Sequence, residues 1–311
     1  MIKKFATGCI KSKIDTRDVL LSQVQAPIPL RELPDNYIIP YQLTILNQNN
    51  YPACVGFSSA SLKAEKERRE QNLIDFDGLW LYQECKKIDG APDQDGTNLR
   101  AAMKVLKNLG AKPLDQSETR ASKYKIGGYA QVDDISFKGL KSAIYQNGVI
   151  LAGFSGDNAG WQTARLKPPV KAQWGHAIAL IGFNKDYIIF QNSWSEIWGE
   201  KGIGYIPKNY LPFESWGILV DLPNLRDFER ELKPKFIFTK NLKEGDRNEE
   251  VKNLQISLKY FGYFPQIISA SGFYGKITKR VVQQYQASKN ITQTGYFDPQ
   301  TKAAMNADLT S

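Results

Sequence analysis

The apolar residues of this 311-residue chain change their spacing part-way along it, and that change limits the folds open to it. From Cys54 to Pro113 they recur at helical intervals, whereas from Gly148 to Pro207 they come in short runs separated by turn residues. CVGFSSASLKAEKERREQ reads as a helix beginning at Cys54, small and apolar in its first half and charged in its second, so that it starts buried and ends in solvent. Phe76–Ile88 is a second helical stretch. In GTNLRAAMKVLKNLGAKP, Leu99, Ala102, Met103, Leu106 and Leu109 share a face, Thr97 or Asn98 supplies the cap, and Gly110 with Pro113 ends the helix. GVILAGFS, GHAIALIGFN, YIIFQNSW and IGYIP read as strands. Helices first and antiparallel strands after predict an α+β class with two packed lobes.

The flanks differ. Residues 1–47 are rich in proline and extended-chain residues and read as a wrapping arm. Residues 223–240 are charged and proline-punctuated, a linker between a first domain spanning 1–222 and a small domain spanning 241–311. In the small domain EEVKNLQISLKYFGY predicts a helix with Val251, Leu254, Leu258 and Phe261 on one side. SGFYGKITKRVVQQYQ and TGYFDPQTKAAMN then share a frame, a glycine–aromatic turn leading into a helix, which reads as an internal duplication and an all-α unit. Without histidine or cysteine, this unit has no metal site or thiol chemistry of the common kinds.

The net charge of +9 would suit an anionic partner, but lysines and arginines are mixed with acids and form no block, so solvated faces are expected and nucleic acid is not. Three cysteines, Cys9, Cys54 and Cys85, are too few for a disulfide framework; at most one bridge, Cys9 to Cys85, is open. No run is long enough to span a membrane. MIKKFATGCIKSKID lacks the apolar stretch of about 7–15 residues that a secretory signal needs.

A single histidine, His176, limits the chemistry further. Zinc sites of the usual kinds need more histidines or cysteines at fixed spacing, so neither metal nor cofactor is expected. A cysteine is most often a buried inert residue, and a strand histidine most often a packed one. Yet Gly175 and Ala177 leave room beside the ring, and each demand of a thiol nucleophile has a candidate. Cys54 opens a helix, where a thiolate is favoured. Asn192, sixteen residues after His176, offers an amide oxygen to orient the imidazole. Trp194 could cover that bond, and Gln48, six residues before Cys54, could donate to an oxyanion.

Gln48 with Cys54-Val55-Gly56-Phe57-Ser58, then Gly175-His176-Ala177, then Asn192-Ser193-Trp194 with Trp198-Gly199-Glu200, together resemble the papain family of cysteine peptidases. DGAPDQDGTNLRAAMKVLKNLGAKP is similar to the bacterial branch of that family. The resemblance spans residues 15–222 and implies a two-lobed fold with a cleft between the lobes. It implies Cys54 as nucleophile, His176 as base and then acid, Asn192 as orienting amide, Gln48 with the Cys54 N–H as oxyanion hole, and Trp194 as a shield. Three positions depart from the family: Tyr51 stands where a disulfide cysteine is frequent, Val55 where tryptophan is common, and Ser195 where glycine is usual. About 47 residues precede Gln48. Latency would then fall to the N-terminal arm crossing the cleft. Residues 242–306 resemble the peptidoglycan-binding domain of bacterial and phage wall hydrolases, with most of the aromatics expected in the core.

The expected function is a cysteine endopeptidase carried to bacterial cell wall by its C-terminal module. Its substrate would be protein or peptide, its second partner peptidoglycan, and its setting the wall, the exterior or a phage. A hydrolase of peptidoglycan cross-bridges is the alternative, and a non-catalytic wall-binding or phage structural protein a third. Asn192-Ser193-Trp194 favours the general peptidase.

Overall fold

The computed structural model describes residues 6–115, 120–221, 234–264 and 270–310. They fall in two compact units, residues 1–18 with 28–221, and residues 19–27 with 222–311. Residues 19–27, part of the stretch read as an arm of the first domain, include the short helix α1 (Leu21–Val24) and group with the second unit. Most of the expected linker, residues 223–233, lies outside the described residues.

Unit 1 sets helices against an antiparallel sheet. Its helices are α2 (Cys54–Arg69), α3 (Gly78–Lys86), α4 (Leu99–Asn108) and α5 (Phe137–Asn147). The sheet runs in the order β4 (Ile126–Gln131), β9 (Glu214–Asp221), β5 (Ile150–Gly156), β6 (Trp174–Phe183), β7 (Tyr187–Gln191) and β8 (Ile203–Pro207). A two-residue strand, β2 (Tyr37–Ile38), also pairs with β6, and a separate parallel pair joins β1 (Cys9–Ile10) to β3 (Thr97–Asn98). β6 packs against α2 and α5 and is buried from His176 onward. A strand covered on both faces has no solvent face, hence the unbroken apolar run AIALIGF.

Two expectations about the helices need correction. The charged half of α2 is not in solvent: Lys63, Glu65, Lys66, Glu67 and Arg68 are all buried. Each charge is met inside the protein. Lys63 pairs with Glu67, Arg69 with Glu65, Lys66 donates to the Asn147 carbonyl, and Arg68 bonds the carbonyls of Gln42 and Ile74 and the Asp75 carboxylate. Pairing and hydrogen bonding make such burial tolerable. The apolar face of α4 is also one residue shorter than expected. Leu99, Ala102, Met103 and Leu106 are in the core, but the helix ends at Asn108 and Leu109 is 44% exposed. Asn98 is the cap, its Oδ1 accepting the Ala101 N–H at 2.9 Å. β4, β9 and α5 left weaker marks in the sequence, since IGGYAQ and FKGLKSAIYQN carry glycines within the elements.

Unit 2 contains α6 (Glu249–Tyr260), α7 (Lys276–Ser288) and α8 (Pro299–Thr310). Val251, Leu254 and Leu258 are buried, while Phe261, just past the end of α6, is half-buried. The duplication is physical as well as textual. Gln255 Oε1 accepts the Gly272 N–H at 3.0 Å, and its Nε2 donates to Phe273 O and Thr278 Oγ1. Gln286 Oε1 accepts the Gly295 N–H at 2.9 Å, and its Nε2 donates to Tyr296 O and Thr301 Oγ1. In both copies a buried glutamine on the preceding helix fastens the glycine turn to the next helix. Tyr274 and Phe297, the aromatics after the two turns, are fully buried. α1 packs on α7, with Ser271 Oγ donating to Val24 O at 2.7 Å.

Replacing Gln255 by alanine takes a partner from three polar groups and replacing Gln286 from four, and each change should cost roughly 2–4 kcal/mol of unit 2 stability. Urea titration followed by far-UV circular dichroism measures this. Tryptophan fluorescence should not change, because all six tryptophans lie before residue 222.

Candidate active site

The N-terminus of α2 meets β6 at a single peptide neighbourhood. Ala177 N–H donates to Cys54 Sγ at 3.4 Å, and one turn further along α2 Ser58 Oγ donates to Ala177 O at 2.8 Å. The thiol is thereby held beside the residue that follows His176. His176 Nε2 lies 2.8 Å from Asn192 Oδ1, which also accepts the Ser193 N–H. Since an amide oxygen only accepts, Nε2 carries the proton and Nδ1 the lone pair. Among the described residues neither His176 Nδ1 nor Asn192 Nδ2 has a hydrogen-bond partner. Trp194 stacks on the imidazole at 4.3 Å between ring centroids and 26° between planes.

Gln48 is fully buried. Ser193 Oγ donates to its Oε1 at 2.6 Å, which turns Nε2 to donate to Tyr51 O at 2.9 Å and to Ala6 O at 3.2 Å. The structure therefore brings Cys54, His176, Asn192, Gln48 and Trp194 into one place.

The room expected beside Gly175 is filled by the chain itself. The Ala6 carbonyl accepts from Gln48 Nε2 and from Trp194 Nε1, Gly8 N–H donates to Gly175 O at 3.0 Å, and Gly8 O accepts the Thr97 N–H at 2.9 Å. The fit is backbone against backbone. A Cβ on Gly175 would lie 2.0 Å from Cys9 O, and one on Gly96 would lie 2.1 Å from Gly8 O. Ser12 and Lys13 continue the strap, the Ser12 N–H bonding Glu214 and the Lys13 carbonyl accepting from Arg100.

Burial has an electrostatic consequence. It pushes the Cys54 thiol up to about 12, against the backbone N–H groups of Ala177, Val55 and Cys54 that favour the thiolate. It pulls His176 down to about 4, against its bond to Asn192. A desolvated pair of this kind is neutral, thiol beside imidazole. Cys9 and Cys85 are also free and buried, their thiols raised first by burial, and no bridge joins Cys9 to Cys85.

Several site residues escaped the sequence reading. Trp161 and Trp174 enclose the imidazole, Trp161 edge-on at 5.3 Å, and the Trp161 indole donates to Tyr210. Trp161 comes from the glycine- and proline-containing segment before β6, and Trp174 is the first residue of β6. Ser193 was read only as part of a motif. Of the three departures, Tyr51 is half exposed with its carbonyl serving Gln48, Val55 is buried, and Ser195 adopts a left-handed backbone with φ 64°.

Residues 82–212 match the family model of the papain family cysteine proteases, a stretch that includes His176 and Asn192 and begins after Gln48 and Cys54. Residues 247–305 match the model of a peptidoglycan binding domain. An uncharacterized peptidase C1-like protein of Acanthamoeba polyphaga mimivirus is 24% identical over 258 residues, covering 67% of this chain and 83% of the relative. Xylellain, a cysteine protease from Xylella fastidiosa, superposes with a TM-score of 0.61 at 22% identity, over 70% of this chain and 97% of its own. Procathepsin B S9 of Trypanosoma congolense gives 0.54 at 15% identity, over 69% and 87%. The chain is a cysteine peptidase: it carries a papain-family cysteine protease domain of papain-like fold, followed by a peptidoglycan-binding domain. No helix among the described residues is long and apolar enough to cross a membrane.

With the thiol near 12, alkylation of Cys54 in the full chain should be slow at neutral pH and rise about tenfold per pH unit up to pH 10, since only thiolate reacts. Mass-spectrometric counting of iodoacetamide adducts at Cys54 checks the slope.

Proposed function

We propose that this protein is an endopeptidase working through Cys54, His176 and Asn192, and that its C-terminal unit carries it to bacterial cell wall. The observation that carries the reading is the state of His176. Its Nε2–H is held by Asn192, and its lone pair at Nδ1 is buried, unpartnered among the described residues, and next in chain to the peptide that touches the Cys54 sulfur. His176 Nδ1 takes the thiol proton as Sγ adds to a peptide carbonyl. Gln48 Nε2 and the Cys54 N–H receive the oxyanion. The imidazolium gives its proton to the departing amine and leaves a thioester, which water hydrolyses with His176 again as base. Trp194, Trp161 and Trp174 keep water from the imidazole–amide bond, and Ser193 aims Gln48.

The strap of residues 6–13 accounts for latency. The Ala6 carbonyl takes a hydrogen from Gln48 Nε2 that a substrate oxygen would need, and the desolvation that accompanies the strap keeps the thiol protonated. A second reading, cleavage of the peptide bridges of peptidoglycan, is favoured by the peptidoglycan-binding domain in the same chain.

Hydrolysis by the purified protein of casein, set beside release of peptides from purified peptidoglycan, distinguishes the two substrates. Cys54→Ala should abolish both, Asn192→Ala should lower turnover about 10²-fold, and Gln48→Ala about 10²-fold as well. Turnover unaffected by Cys54→Ala would end the reading. Deleting residues 1–14 should raise turnover and move the onset of Cys54 alkylation to lower pH, since a solvated site restores the thiolate. Unchanged values would show that the strap is no barrier. Co-sedimentation with peptidoglycan, lost when residues 241–311 are removed, tests the wall attachment.

A further inference from the structure

The helix α3 ends in a lysine with an unusual set of neighbours. Lys86 Nζ donates to Asp89 Oδ2 at 2.9 Å and to three main-chain carbonyls, Ala91 at 2.6 Å, Gln94 at 2.8 Å and Gly96 at 3.0 Å. Its side chain is 17% exposed and that of Asp89 is 1% exposed. Burial works against the Asp89 charge, but bonds from Lys86 and the Ala91 N–H outweigh it and hold the carboxyl below its usual range. One ammonium thus gathers the whole loop 89–96, which belongs to the DGAPDQDGT stretch of the sequence and has no part in the mechanism above.

The last of those carbonyls matters most. Gly96 C=O and Thr97 N–H belong to one peptide unit, and in a trans peptide they point in opposite directions. With the carbonyl turned to Lys86, the N–H is turned into the cleft, where it donates to Gly8 O of the strap. Gly96 has φ +85° and no Cβ, so nothing in its own backbone preference resists a rotation of this peptide. The preceding Gly96 N–H is held by Tyr82 Oη, and the following Asn98 caps α4, so both flanks are fixed while the central peptide depends on the ammonium.

We propose that Lys86 is a positioning residue for peptide binding: it orients the Gly96–Thr97 peptide so that the Thr97 N–H faces the cleft and grips the backbone of whatever chain lies there, the strap in the closed protein and the substrate in the open one. The substrate half of this statement rests on the endopeptidase reading; the orientation of the peptide does not. A chain gripped by its main chain is recognised without regard to its side chain at that position, so the effect of Lys86 falls on binding and not on the bond-breaking step.

The test uses the full chain, uniformly labelled with ¹⁵N and ²H, as wild type, Lys86→Met and Lys86→Arg. Lys86→Met keeps the length of the side chain and removes the charge and the donors; Lys86→Arg keeps both. In Lys86→Met the Thr97 amide should exchange with solvent at least about tenfold faster, while the amides of β5 and β6 keep their rates. KM for a peptide, read in the background lacking residues 1–14 so that the strap does not compete, should rise about tenfold with kcat within about twofold. Lys86→Arg should recover most of both. Thr97 exchange equal to wild type in Lys86→Met overturns the proposal, and so does acceleration shared by β5 and β6, which is general loosening. If Lys86→Met does not fold, Lys86→Gln, which keeps two donors and is too short to span the four oxygens, is read in the same way. If neither the wild type nor the chain lacking residues 1–14 hydrolyses peptide, the endopeptidase reading fails, and the exchange rates alone decide the role of Lys86.

Discussion

The architecture of unit 1 turns on the main chain of one residue, Ala177. Its N–H meets the sulfur at the first residue of α2, and its carbonyl takes a hydrogen from Ser58 one turn later. Two bonds to one residue lock the rotation of the helix as well as its distance from β6. Because Cys54 comes from the helical half of the chain and His176 from the strand half, a shift of either half by one residue would part them. Everything else at the site is arranged from that contact outward: Asn192 on the segment after β7 orients the ring, Ser193 turns Gln48, and the tryptophans close over the imidazole.

The thiol and the imidazole lie in a desolvated setting, with the strap bonded to the residues around them. Desolvation disfavours both the thiolate and the imidazolium, so the closed site rests as a neutral pair. At the site the strap is bonded through its main chain, against glycines at 96 and 175 that leave no side chain in its way, while the Cys9 side chain packs in the core. A segment held by its backbone can occupy a cleft that accepts peptides without copying any preferred side chain. The same glycines keep that cleft narrow, since any Cβ there would have to move the occupying chain.

Unit 2 achieves its order with repeated polar fasteners set in an apolar interior. Gln255 and Gln286 sit at equivalent places in the two copies, each buried and each with both ends of its amide engaged. A satisfied buried amide costs little and specifies geometry, which suits a small unit with a limited core. The glutamines were visible in the sequence only as polar residues on otherwise apolar helices. Without knowledge of what lies opposite, nothing separates such a residue from a solvated one.

The change of spacing at residue 54 and again near 148, the single histidine, and the glycine–aromatic frames after residue 270 determined by themselves the class of fold, the order of its parts and the short set of residues able to carry thiol chemistry. These are local patterns, and local patterns report periodicity and residue type. Tertiary structure decided what periodicity cannot express. It buried the charged half of α2, because Glu67, Asn147 and Asp75 stand where they answer each charge. It drew Trp161 out of an irregular segment, and Trp174 from the start of β6, onto the imidazole. It sent residues 6–13 into the cleft while grouping 19–27 with the second unit, and it turned the Gly96 carbonyl to Lys86. In each case the partner is far away along the chain, and burial of a charge, a ring or a carbonyl depends on what is brought to meet it.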